Sequence, residues 1–409
     1  MAKKRARGGR KAGGNCDPAE EHAALREEAV DGRQDEDELF DALIDGLYEK
    51  RAATRLSALN GLARLLASGV RLEECVAREE TLSRLLLNSV RRGTGTEATL
   101  AARGLGLLIM TLGLEDGAER VWTETGDTLM KCAGNKLMAV ELRCSSLDTY
   151  SIASFIVEND PLSTLESMAR LASLWNADSH AVRECAIRGW TLLGSTLSAH
   201  LMEDSFYSMV ERLTKLLEDP AVDVRRAASE AVALLHAFGL ELESDDTDSS
   251  DSESSVASNS TGWSRFSGID CAMDRMKDLA GPKGQVKRRS KRDRAAMRST
   301  FREVCQFVED GIVAEARIKL KATVLVVDDL PGLVQLSFIR KILAGGFQAH
   351  LNGNELLHRV FGYSPGNGAA PKMTKSEKRM FKSPQSDATR MRTQLRRNDY
   401  DAKMQMLEG

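Results

Sequence analysis

Six histidines and seven cysteines are the side chains with which this chain of 409 residues could hold a metal or attack a substrate. Their spacing supports neither role. His350 and His358 stand eight residues apart, the wrong spacing for a joint ligand pair on one helical turn, so a buried or capping role is expected. The cysteines (Cys16, Cys75, Cys132, Cys144, Cys185, Cys271 and Cys305) include no C-x-x-C pair and are odd in number. Zinc sites need close local spacing and secreted frameworks need even counts, so a reducing compartment fits. No G-x-S-x-G, P-loop or H-E-x-x-H pattern occurs, and the two glycines of "RRGTGTEAT" read as a helix-opening turn. No catalysis, metal, cofactor or small-molecule substrate is expected.

Positive charge is the chemistry the sequence does concentrate. The stretch "KRRSKRDRAAMRSTFREVCQFVEDG" opens with Lys287, Arg288, Arg289, Lys291 and Arg292. Ser290 and Asp293 have capping-box spacing and Gly311 is a stop, which predicts a helix between them. On that helix Met297, Phe301, Val304 and Val308 share one stripe, and Lys291, Arg294, Arg298 and Arg302 share the adjoining one. The helix is expected to pack by the first stripe and offer the second to a polyanion. A further basic helix is predicted from Ser386, bearing Arg390, Arg392, Arg396 and Arg397. The N-terminus "MAKKRARGGRK" is basic too, although the net charge is only −3. Such segments bind by neutralising phosphates, but "KRRSKRDR" supports nuclear import equally well.

Helices at regular spacing must position these segments. From Asp35 to about Leu240 the apolar pattern is helical and repeats at about 40 residues. "DSHAVRECAIRGWTLLGS" aligns with "DPAVDVRRAASEAVALLHAF", and earlier units align through "LMAVELRCSSLDTYSIASF", "EATLAARGLGLLIMTLG" and "RAATRLSALNGLARLLASG". Each carries an arginine near its start: Arg55, Arg103, Arg143, Arg183 and Arg225. These are expected to brace one repeat against the acidic start of the next, and the small residues to let helices approach closely.

The expected class is therefore all-α: a HEAT/armadillo-like α-solenoid, a small mostly helical C-terminal module, and a basic helical tail. Expected boundaries are a disordered N-terminus over 1–35, the repeats over 36–240, and an acidic Ser-rich linker over 241–285. The module follows over 286–365 and the tail over 366–409. "ARIKLKATVLVV" predicts a strand or hairpin, and "DDLPGLVQLSFIRKILAGG" a helix stopped by Gly345 and Gly346. Ser249, Ser250 and Ser252, beside acidic residues, and Ser383, before Pro384, are candidate phosphosites. No apolar run is long enough to span a membrane.

The phrases "SKRDRAAMRSTFREVCQFVEDG", "IKLKATVLVV", "GGFQAHLNGNELLHRVFGY" and "KSEKRMFKSPQSDATRMRTQL" resemble the C-terminal module of the interferon-related developmental regulator family. "EKRAATRLSALNGLARLLASG" through "GTGTEATLAARGLGLLIMTLG" resembles its armadillo-like N-terminal domain. The resemblance spans most of Glu36–Leu395, with one departure: "DDLPGLVQLSFIRKIL" lacks the family's tryptophan. It implies a non-enzymatic regulator, either silencing translation on the ribosome or ribosomal RNA, or acting with nuclear regulatory proteins such as deacetylase complexes. Cytoplasm and nucleus are the expected locations, and the ribosome reading leads because an import signal would not require the basic tail helix.

Overall fold

A computed structural model describes residues 37–248, 267–280, 291–320 and 324–364. They fall into two units, residues 1–316 with 327–362, and residues 317–326 with 363–409.

The first unit is a helical solenoid. A short helix α1 over residues 37–48 precedes α2 (Ala52–Ser68), α3 (Leu72–Ala77), α4 (Glu79–Arg92), α5 (Thr96–Leu112), α6 (Asp116–Gly134) and α7 (Val140–Val157). Then come α8 (Pro161–Ala172), α9 (His180–Gly194), α10 (Ala199–Leu216) and α11 (Val222–Asp248). Helices α2, α5, α7, α9 and α11 pack side by side as one layer. Helices α4, α6, α8 and α10 each pack on a member of that layer and form a second. Helix starts follow local chemistry. Asp160 caps α8 by accepting from the backbone N–H of Ser163 at 3.1 Å, with Pro161 in the first turn.

Small residues set the spacing inside the first layer. A side chain at Gly106 would meet Thr149, and one at Gly189 would collide with Ser151, so α5, α7 and α9 lie closer than leucine-lined helices could. Thr149 uses that proximity to donate to the carbonyl of Ala102 at 2.7 Å. The layer is buried on more than one side. Thirteen of the seventeen residues of α5 are inaccessible, including Leu105, Leu107, Leu108, Ile109 and Met110 in sequence. A helix apolar all round needs cover all round, and the second layer supplies one side only.

The rest of the unit provides the other side. Helices α12 (Ser267–Ala280) and α13 (Lys291–Asp310) pack on each other, α12 on α10 and α13 on α11. Then α14 (Leu330–Leu343), a 3₁₀ turn (Ala344–Gly346), α15 (Phe347–Gly353) and α16 (Glu355–Val360) run back along the solenoid. Helix α14 touches α9, α7, α5 and α2, all of the first layer, and α15 docks on α2.

Two boundaries expected from sequence are corrected here. The linker expected over 241–285 is shorter, because α11 continues to Asp248 and α12 packs through the buried Ala272, Met273 and Met276. The module expected over 286–365 is not a separate piece up to Gly362. Outside residues 317–326 it belongs to the solenoid's unit and completes its core. The N-terminal 1–35 segment, the acidic Ser-rich stretch with Ser249, Ser250 and Ser252, and the tail beyond 364 with Ser383 lie outside the described residues.

The second unit contains most of a two-stranded sheet, β1 (Ala316–Lys319) and β2 (Val324–Val327), where the hairpin was expected. Burial alternates along it, with Ile318, Leu325 and Val327 covered and Val324 and Val326 exposed.

Candidate functional site

Three of the repeat arginines, Arg55, Arg143 and Arg183, brace one repeat against the next, whereas Arg225 bonds carbonyls of its own repeat. Arg55, the fourth residue of α2, forms a paired contact with Glu97 on α5, Nε to Oε1 at 2.7 Å and a second nitrogen to Oε2 at 3.1 Å. Arg143, fourth in α7, is buried and reaches Asp178 just before α9 at 3.0 Å. It also donates to the carbonyl of Ala133 at 2.9 Å. Arg183, fourth in α9, meets Asp219 just before α11 at 2.9 Å. Arg225, fourth in α11, donates to the carbonyls of Asp219 and Pro220. The guanidinium of Arg143 holds Asp178 below the usual carboxylate range. Arg103 is corrected: it stands one turn later on α5 and is exposed, and the fourth-residue position there is Thr99. Thr99 presents its carbonyl to Ser145 of α7 at 3.0 Å, so a hydroxyl contact replaces the ion pair.

The polyanion stripe is placed in part. Residues 287–289 lie outside the described residues, as do Arg390, Arg392, Arg396 and Arg397. Lys291, Arg292, Arg294 and Arg298 lie on the backbone of α13, as their spacing predicts. Arg302 is exposed, while Phe301, Val304 and Cys305 beside it are buried. Phe307 joins that apolar side, meeting His236 of α11 edge-to-face at 5.9 Å. Gly311 follows α13 at φ 68°, and its N–H bonds the carbonyl of Phe307 at 2.9 Å.

A set of polar contacts that local sequence reading missed clasps the C-terminal helices to the first layer. Gln335 donates to Ser195 at 3.2 Å, and Lys341 binds Asp148 at 2.7 Å. Gly346 passes so close to the carbonyl of Ala67 that no side chain fits there. His350, buried, bonds the carbonyl of Leu66 through Nε2 at 2.8 Å. Asn354 works in two directions: Oδ1 caps α16 by accepting from Leu356 at 3.0 Å, and Nδ2 donates to the carbonyl of Met110 at 2.9 Å. These acceptors include orphan carbonyls at the ends of α2 and α5, so the clasp satisfies helix C-termini that it also covers. His358 bonds the carbonyl of Leu351 at 2.9 Å, so both histidines serve backbone groups. Among the described residues, no three histidine, cysteine or acidic side chains form a metal cluster. Nor is any helix among them long and apolar enough to cross a membrane.

Hollows among the described residues of this unit include one of about 640 Å³ beside Phe40, Arg71, Glu74 and Arg78, and two smaller ones. One, of about 270 Å³, lies between α11, α13 and α14 and is lined by Glu230, Phe307, Leu333 and Val334, with burial pushing the Glu230 carboxyl upward. The other, of about 290 Å³, is bordered by Trp122, Tyr150, Glu158 and Arg170, and Arg170 is already held by Asp127 at 2.7 Å. Neither assembles a nucleophile with a base.

Solved structures similar to this chain include a designed armadillo repeat protein in complex with the peptide (KR)4, at 14% identity over 64% of this chain and 98% of that one, with a TM-score of 0.42. Among natural relatives, interferon-related developmental regulator 2 of Mus musculus is 26% identical over 83% of this chain and 76% of its own length. Interferon-related developmental regulator 1 of Homo sapiens is 25% identical over 79% and 70%. The model of the interferon-related developmental regulator family matches residues 13–309, which include all of α1–α11 together with α12 and nearly all of α13. With that match spanning more than half of its length, this chain belongs to the interferon-related developmental regulator family.

Proposed function

We propose that this protein is a non-enzymatic regulator of gene expression that binds the ribosome, through ribosomal RNA, with its basic C-terminal segments and represses translation. One observation carries the reading. The face of the first layer, along which an extended peptide would have to lie, is covered by the chain's own α14–α16. Recognition then falls to exposed charge, and Arg302 on α13 is the member of the basic stripe whose side chain is described as exposed. The same helix is anchored by Phe301 and Val304, so its charge is held on a fixed support. Lys372–Arg397 supplies a second basic segment, with little aromatic content for stacking on bases. Contact with the phosphate backbone suits that composition.

The test is binding of a fluorescent ribosomal RNA helix across a salt series. Affinity should fall steeply, and changing Arg294, Arg298 and Arg302 to Gln should reduce the log–log slope by about 2 to 3, at roughly 0.7–0.9 per phosphate contact. Salt-independent binding, or none, contradicts the proposal.

A second reading, a nuclear scaffold for regulatory proteins, draws support from the α6–α7 connection. There Leu137 is 94% exposed, with Met138 and Val140 exposed beside it, a short apolar ridge suited to a protein partner. Both readings place the chain in cytoplasm, nucleus or both.

A further inference from the structure

Glu230, on α11, lines the hollow of about 270 Å³ between α11, α13 and α14. Among the described residues it has no hydrogen-bond partner and no ion pair. The neighbouring arginines are engaged elsewhere. Arg226, one turn earlier on α11, lies 3.7 Å from Glu184, and Arg188 lies 3.8 Å from the same carboxylate. Arg188 also donates at 3.4 Å to Ser337, an exposed residue of the lining.

Most of the remaining lining is apolar. Phe307 of α13 and Leu330, Leu333 and Val334 of α14 border the space, and Ala233 of α11 is too small to fill it. The three α14 side chains stay half-buried, so the chain's own packing leaves apolar surface uncovered there. The other charged residue of the lining, Glu303, is acidic as well.

A carboxyl without a donor, set among apolar walls, selects what can fill the space. Burial pushes the Glu230 carboxyl upward, because the carboxylate loses water there and gains no bond in return. A ligand ammonium supplies both the opposite charge and the missing N–H. A ligand carboxylate meets Glu230 and Glu303 as like charges, and an alcohol brings no charge at all. The size argues for a small molecule, since ligand cavities begin at roughly 300 Å³.

We propose that this hollow binds a primary alkylamine, its ammonium paired with Glu230 and its short carbon chain among Phe307, Leu330, Leu333 and Val334. Occupancy joins α13, which carries the basic stripe, to α14, which covers the first layer.

The experiment titrates the full chain with hexylamine, hexan-1-ol and hexanoate at matched ionic strength, read by saturation-transfer NMR. Hexylamine should bind saturably and at least tenfold more tightly than hexanol, and hexanoate should not bind. Glu230→Gln should weaken hexylamine to the level of hexanol and leave the fold intact, because a neutral amide replaces a carboxyl that lacked a partner. Val334→Phe is the second variant. It fills the space from α14, keeps Glu230, and should abolish binding of amine and alcohol alike. The three-ligand series on the wild type needs neither variant to fold. Hexanol binding as tightly as hexylamine, or hexylamine failing to saturate, overturns the proposal. So does hexylamine affinity unchanged by Glu230→Gln. A blocked lysine, N-acetyl-lysine methylamide, binding at least as tightly as hexylamine would overturn the free amine in favour of a partner protein's lysine.

Discussion

The Nε2 atom of His350 lies 2.8 Å from the carbonyl oxygen of Leu66, joining residues 284 positions apart at the covered end of α2. Its Nδ1 is buried with no hydrogen-bond partner. The ring is therefore held neutral, donating from Nε2, and a proton added at Nδ1 would be buried without an acceptor.

That geometry makes stability depend on pH. Burial lowers the imidazole below its ordinary value of 6.5, so below that value the unfolded chain binds more protons than the folded one. The contribution is complete above pH 6.5 and declines as pH falls through the window beneath it. Thermal melting at pH 7.5 and 5.5 should show a loss that His350→Gln, which keeps a donor but cannot titrate, reduces. Equal pH dependence in both proteins would contradict this role.

Gly346→Ala tests the clasp without touching charge. The added methyl must displace the backbone at Ala67, and overpacking of this kind costs about 1–3 kcal/mol. Limited proteolysis should then cut near residues 344–354 before the solenoid is attacked. Unchanged protection would mean that α15 does not dock on α2 in solution.

Arg143 and Arg103 offer a paired comparison of the repeat register. Arg143→Ala removes a buried guanidinium and its bonds to Asp178 and Ala133, for a loss of about 2–3 kcal/mol. Arg103→Ala, at an exposed site one turn off register, should stay within about 0.5 kcal/mol. Urea unfolding of the two variants decides it, and equal losses would contradict the braces described here.

On α13 the two stripes should separate by mutation. Changing Arg294, Arg298 and Arg302 to Gln should weaken RNA binding and leave the melting temperature within a degree or two. Phe301→Asp buries an unpaired charge among Val304, Cys305 and α11–α12, and should destabilise that end by several kcal/mol. Circular dichroism melts beside binding curves distinguish the outcomes, and unfolding of the arginine variant would make those residues structural.

Much of this architecture is legible in the sequence because it is written in local periodicity. The fourth-residue arginines announce three of the four ion-pair or carbonyl braces after Arg55, and Asp or Glu stands where each ion pair needs it. Arg103 misleads because a fixed step of 40 residues back from Arg143 falls short of the repeat, whose register falls on Thr99 and leaves no charge to follow. The cover on the first layer is half legible. "ATLAARGLGLLIMTL" is apolar on every side and so demands a second covering surface. Its identity is not local information: Lys341 finds Asp148 across 193 residues and Asn354 finds Met110 across 244, and no periodicity encodes such pairs. Gly346 reads as a helix stop and proves also to be a point of backbone contact.

The central claim, that the protein acts on the ribosome through its basic C-terminal segments, is tested most directly by sedimentation of the tagged chain through sucrose gradients at low and high salt. Co-migration with monosomes that is lost at high salt, and lost on deleting Lys372–Gly409, is the predicted result. Migration only at the top of the gradient at both salt concentrations would contradict it.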